Sequence, residues 1–200
     1  MKFAVLTSGG DAPGMNACVR MFTKAAIARR HEVVGIRGGY EGLLDADVVP
    51  LTLTAVDGIS RHGGTMLGSA RSTRFPTDEG QALAASRLAE LGIDGLFVIG
   101  GNGSLTGAHV LSSHASCSVV GAPASIDNDV GYSRLSIGVD TAVNTIVEAC
   151  DRISDTARAH RRAFVVEVMG RHCGYLAMRA GIAADADAIL FAERQRSDAD

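Results

Sequence analysis

Two carboxylates two residues apart, Asp127 and Asp129, close the stretch Ala122-Pro-Ala-Ser-Ile-Asp-Asn-Asp129. The preceding run, residues 117–121, reads as a short buried strand, and Pro123 argues against its continuing. The acids therefore sit beyond the carboxyl end of a strand, where ligands bind open α/β sheets. Asp-Asn-Asp is also good turn chemistry, and alone it would read as a turn. Three further glycine-rich segments also follow apolar runs, and that tips the balance toward a site.

The first of these, Thr7-Ser-Gly-Gly-Asp-Ala-Pro-Gly-Met-Asn16, joins a strand to a helix. Adjacent glycines let backbone N–H groups approach an anion, and the helix points its positive end the same way. Gly100-Gly-Asn-Gly-Ser104 repeats the arrangement. It misses the dinucleotide fingerprint, because the glycine after Gly101 and Gly103 is Gly107, one residue too late, and no GxxxxGK[ST] occurs. Residues 63–71 add a flexible loop with Arg71, whose guanidinium can fork onto phosphate oxygens. Met169-Gly-Arg-His-Cys-Gly174 places Arg171 at another strand end, whereas His172 alone reads as an ordinary packed or surface histidine and Arg161-Arg162 alone as a solvated pair.

The elements that must hold these loops alternate. Strands are expected at residues 3–6, 32–36, 95–100, 117–121, 163–168 and 188–192. Helices are expected at 14–30, from Thr77 to 91, at 104–113, at 140–159 and at 174–183. Thr77-Asp-Glu carries a helix-start signature, with acids near the positive end of the dipole. Such alternation implies right-handed βαβ units, a mostly parallel sheet and an α/β fold with helices on both sides. The chain ends on Gln195-Arg-Ser-Asp-Ala-Asp200, directly after a strand where a βα unit should continue, so a second α/β domain is expected to be incomplete.

Composition agrees with a buried core: 46% of the 200 residues are hydrophobic and 20% charged. A net charge of −3 gives no basic field for nucleic acid or an anionic membrane. Cys18, Cys117, Cys150 and Cys173 form no CxxC pair and read as buried free thiols in a reducing cytosol. No signal sequence or membrane-length apolar run occurs, which points to a cytoplasmic protein.

Taken together, LTSGGDAPGMN (6–16), GGTMLGSAR (63–71), GGNGS (100–104), SIDND (125–129) and VVEVMGRHCGY (165–175) resemble the ATP-dependent 6-phosphofructokinase family, in order and spacing. The resemblance implies a phosphofructokinase-like fold, with a nucleotide-binding domain over 1–138 and the start of a sugar-phosphate domain over 139–200. It implies phosphoryl transfer from ATP, with Mg2+, to the 1-hydroxyl of fructose 6-phosphate. By position, Asp127 resembles the catalytic base and Asp129 the residue supporting magnesium, while Ser125 stands where threonine is usual and keeps a hydroxyl. Arg171 resembles the arginine that stabilises transition-state charge. Ile126, Met169 and Gly170 fall among the sugar-phosphate contacts. Gly10, Tyr40, Arg71, Ser72, Gly101, Asn102, Gly103 and Ser104 resemble the nucleotide site. Arg162 resembles a residue that reaches a neighbouring subunit, which implies a homo-oligomer.

Small residues at Gly103 and Ala124 favour ATP, since pyrophosphate-dependent members tend to carry Asp and Lys there. The pattern breaks at Asn102, which replaces the usual aspartate of GGDGS, removes a charge and should weaken the metal site. It also breaks at the effector site. Arg20, Lys24 and Asp187 match that site, but Leu53 and Ser154 stand where arginines are usual. These breaks, with the missing later motifs, leave a non-catalytic nucleotide or sugar-phosphate binding paralogue or fragment as the alternative, ahead of a pyrophosphate-dependent kinase.

Overall fold

A computed structural model describes residues 1–193. The chain runs β1 (Lys2–Ser8), α1 (Met15–Ala28), β2 (Glu32–Ile36), α2 (Gly39–Leu44), β3 (Val48–Pro50) and a 3-10 turn at Ile59–Arg61. It continues through α3 (Asp78–Glu90), β4 (Gly95–Gly100), α4 (Asn102–Ser112), β5 (Ser118–Pro123), α5 (Val139–His160) and α6 (Tyr175–Ala183). The strands form one sheet in the order β3-β2-β1-β4-β5. β1 pairs in parallel with β2 and β4, β4 pairs in parallel with β5, and only β3 runs antiparallel. The expected α/β fold with a mostly parallel sheet is thus what forms.

The period-two pattern of the strands explains the layers. Ala4, Leu6, Val34, Ile36, Leu96 and Val98 face one core, closed by Leu43 and Leu44 of α2, Ala84 and Leu88 of α3, and Ala108 and Leu111 of α4. Val5, Val33 and Ile99 face the other, closed by Met15 and Val19 of α1 and by Leu51, Val56 and Leu67. Both faces are buried over β1, β2 and β4, as a parallel sheet requires, whereas β5, expected to be a buried strand, is half-exposed, with Val120 at 59%. Thr77 caps α3, its side chain accepting a hydrogen bond from Gly80 N–H at 3.0 Å.

Several expectations need correction. β5 extends to Pro123 rather than stopping at residue 121, with Pro123 opposite Gly100. As the last strand of the sheet among the described residues, it tolerates a residue without an N–H. α2 and β3 lie where no element was expected. α4 opens at Asn102, so residues 102–104 are its first turn and not a preceding loop. Residues 163–168 and 188–192 are not strands among the described residues. Phe164, Val165 and Val166 are instead exposed, with Val165 at 95%. An apolar run becomes a strand only when a neighbour accepts its backbone hydrogen bonds. The four cysteines are free thiols, but half-buried rather than buried. The polar segment 195–200 lies outside the described residues.

Candidate active site

β1, β4 and β5 run parallel, so their carboxyl ends lie along one edge of the sheet, and the glycine-rich segments follow there in spatial sequence. Gly9 has φ +85°, and a Cβ added to it would come within 3.2 Å of Ser104 Oγ. A Cβ on Gly100 would stand 2.6 Å from Ser8 O, so the close approach of these two strand ends admits only glycine. The next loop continues the row. Ala124 N–H donates to Gly100 O at 2.9 Å, and a Cβ on Gly101 would lie 3.6 Å from Ser125 Cβ.

The segment over 62–69 is clamped to this edge by buried polar side chains. Thr7 Oγ1 donates to Gly68 O and meets Thr65 Oγ1, both at 2.8 Å. Asn16, 3% exposed, donates through Nδ2 to His62 O and Gly63 O and accepts from Met66 N–H at 2.7 Å. Ser69 Oγ donates to Gly9 O. Thr7 and Asn16 carry no local sequence signal for this, because their partners are 46 to 61 residues away.

α4 starts without a side-chain cap; its N-cap Gly101 is extended at φ −82° and ψ −169°. The first-turn N–H groups of any helix lack intrahelical acceptors, and together with the dipole they suit an anion. Asn102 and Gly103 are exposed there, and a Cβ on Gly103 would meet nothing within 4 Å. Ser104 is buried. Tyr40, expected among the nucleotide contacts, is only 4% exposed. It stacks on Phe75 with ring centroids 3.6 Å apart, and its hydroxyl donates to Ser104 O at 2.7 Å. Its contact with the site is therefore through the first turn of α4. Ser72 donates to Glu41, which also accepts from Arg74.

On the acid loop, Ser125 Oγ donates to Asp129 Oδ1 at 3.2 Å. Partial burial pushes the Asp127 carboxyl above its ordinary range; Asp129 repels in the same direction and His172 opposes. Cys173 Sγ donates to Asp127 O at 3.0 Å, and a Cβ on Gly170 would lie 3.9 Å from Asp127 Oδ1. The Met169–Arg171 segment thus stands beside the acids, lining with Glu167 and Val168 an open hollow of about 600 Å³. Arg71, Arg162 and Arg171 are exposed, and no described residue pairs with them. Gly10 is exposed, while Ile126 packs against the α1-side core.

A second hollow, about 350 Å³, is lined by Arg20, Lys24, Leu53, Thr54 and Asp57. Asp57 lies 3.7 Å from Arg20, and Asp187, exposed beyond α6, is not among the lining residues.

A family profile described as phosphofructokinase matches residues 2–199. The chain belongs to the phosphofructokinase family. An ATP-dependent 6-phosphofructokinase of Thermotoga neapolitana is 53% identical over 192 residues, covering 96% of this chain and 60% of the relative. One from Persephonella marina is 50% identical, with 96% of this chain and 59% of the relative covered. A solved phosphofructokinase from Saccharomyces cerevisiae superposes with a TM-score of 0.86 at 43% identity, covering 93% of this chain and 28% of that one. The chain thus spans about 60% of the length of the curated phosphofructokinases it matches.

Proposed function

We propose that the protein transfers the γ-phosphoryl group of ATP to the 1-hydroxyl of fructose 6-phosphate, as a cytoplasmic 6-phosphofructokinase of glycolysis. The observation that carries this is the abutment of Gly101 on Ser125: an anion-binding helix start shares one edge with a carboxylate pair. Phosphoryl transfer asks for positioning and charge neutralisation more than covalent chemistry, and this edge supplies both. The first-turn N–H groups over 102–104, Gly10 and Arg71 bind the nucleotide's phosphates, and Ser72, its hydroxyl held by Glu41, follows Arg71 at the nucleotide site. Asp127 takes the sugar hydroxyl's proton, and its raised pKa makes it a stronger base than an ordinary aspartate. Arg171, without an ion-pair partner among the described residues, follows Gly170 beside Asp127 and meets the charge that builds on the transferring group. Met169, Gly170 and Ile126 border the sugar, and Arg162 reaches the sugar phosphate of a neighbouring copy in a homo-oligomer.

Among the described residues no three His, Cys, Asp or Glu side chains cluster as a metal centre. Mg2+ takes one or two carboxylates and completes its shell with phosphate oxygens and water, and oxygen donors are what Asp129 and Asn102 offer. Asp129 and the amide oxygen of Asn102 would hold it, and when bound it supplies neutralisation of the phosphate charge.

The donor is ATP. Ala124 is 1% exposed, and Gly103 faces open space at the start of α4. A lysine at the first position or an acid at the second would crowd the nucleotide, and neither is present. Leu53 lies in the Arg20 and Lys24 hollow, and with Asp187 outside its lining, control by ADP or phosphoenolpyruvate is weakened.

A coupled assay with fructose 6-phosphate, Mg2+ and either ATP or pyrophosphate tests the reading. Turnover is expected with ATP alone, and Asp127→Ala should lower the rate ~10²-fold or more. A second reading, a binding protein without turnover, is favoured by Asn102 at the first position of α4. ATP binding by calorimetry without turnover, unrestored by Asn102→Asp, would establish it.

A further inference from the structure

Asn128 lies between the two acids and has no part in the phosphoryl transfer described above. Its φ is +51°, in the left-handed region that asparagine tolerates better than most residues. Its N–H donates to Ser125 O at 3.3 Å, closing a tight turn. Its side chain leaves that turn, Oδ1 accepting from Ser136 N–H at 2.9 Å.

What Ser136 begins gives this bond its consequence. Ser136 is 3% exposed. The following Ile137 pairs with Ala124 as a parallel bridge, and its N–H donates to Pro123 O at 2.9 Å. The Ile137 side chain lies 3.1 Å from where a Cβ on Gly14 would stand. Gly138, at φ +100°, sits so close to the first glycine loop that an added Cβ would meet Ala12 at 2.9 Å and Pro13 at 3.0 Å. Residues 136–138 therefore form a wedge, touching the strand end behind the acids on one side and the loop after β1 on the other.

We propose that Asn128 is a positioning residue, a strut that holds the Asp127–Asp129 turn in register with the glycine loop after β1 through Ser136 N–H. The conformation and the bond act together. The left-handed backbone turns the chain sharply between the acids, and the amide oxygen pins that turn to the wedge. Cys173 Sγ on Asp127 O braces the opposite side, so the turn is held from two directions. A group that must meet a hydroxyl at hydrogen-bond range loses rate steeply when displaced by an ångström.

The role in catalysis rests on the kinase reading, so the test has two arms. Asn128→Gly keeps the left-handed conformation and removes the acceptor, whereas Asn128→Asp keeps an acceptor of the same shape. Hydrogen exchange read by NMR at the Ser136 amide should show protection in the parent protein and in Asn128→Asp. Asn128→Gly should exchange faster by on the order of 5-fold or more, the worth of one hydrogen bond. In the assay, Asn128→Gly should lower kcat on the order of 10- to 100-fold with KM for ATP unchanged. Asn128→Asp should retain more of kcat than Asn128→Gly. Exchange at Ser136 that is indifferent to Asn128→Gly overturns the strut, and so does a kcat in that variant equal to the parent's. An inactive parent whose Ser136 amide responds as stated overturns the kinase reading and leaves the strut standing.

Discussion

Residues 2–123 and residues 139–193 obey different rules. In the first region every strand has a partner, and β1, β2 and β4 are buried on both faces. In the second, α5 runs 22 residues with an apolar stripe through Ala142, Val143, Ile146, Val147, Cys150 and Ile153, yet only Val139 of that helix is buried. α6 buries Leu176 and Ala180, while residues 163–168 lie exposed. A helix satisfies its own backbone and forms on local instructions; a strand is completed by another strand. The same kind of apolar run gives β4 where β1 stands beside it and gives no strand at 163–168.

The contrast is most easily broken through packing. Leu6 is fully buried between β2 and β4, so Leu6→Ala should cost about 2–5 kcal/mol by denaturant unfolding. Ile153 is only half-buried on α5, and Ile153→Ala should cost under about 1 kcal/mol. Equal costs would show that the second region is as tightly held as the sheet.

A smaller effect sharpens the same point at a polar contact. Tyr40→Phe withdraws a buried hydroxyl from Ser104 O and should cost ~1 kcal/mol. Ser154→Ala removes a solvent-facing hydroxyl bond to Asp151 O within α5 and should lie within about 0.5 kcal/mol of zero. Thermal unfolding of the two variants compares them directly. A Tyr40→Phe protein as stable as the parent would mean that the first turn of α4 is not held from below.

What sequence could and could not disclose follows from the same physics. Strands β2 and β4 matched their expected bounds because a short run of β-branched and other apolar residues is a local signal, and so is the Thr77 cap. The five motifs were legible as well, since short range is enough to recognise glycine-rich turns and acids. Illegible were contacts between distant residues: Asn16 on the 62–66 segment, Tyr40 under Ser104, and Ser136 against Asn128. β3 escaped because three residues are too short a window for any pattern. The start of α4 escaped because glycines on both sides of Asn102 mimic a loop, although Gly103 sits in helix.

The smallest effect, a shift in titration, opposes two carboxylates with opposite surroundings. Asp127 is raised above 3.8, by burial first and then by Asp129, with His172 pulling the other way. Glu41 is lowered below 4.5, first by the Ser72 hydroxyl and then, against some desolvation, by Arg74. Their contributions to stability therefore slope in opposite directions. Asp127 binds its proton more tightly folded than unfolded, so ionising it takes stability away as pH rises from 3.8 through its native pKa. Glu41 contributes stability that is present above 4.5 and is lost as pH falls through its native pKa. Carboxyl-carbon NMR should place the Asp127 midpoint above that of an ordinary aspartate and the Glu41 midpoint below that of an ordinary glutamate. Asp129→Asn should lower the first and Ser72→Ala should raise the second, each toward its ordinary value. Because burial leads for Asp127 while a hydrogen bond leads for Glu41, Asp129→Asn should leave part of the Asp127 shift in place. A full return to 3.8 would mean that charge repulsion, and not the shelter of the loop, sets the basicity of the proposed base.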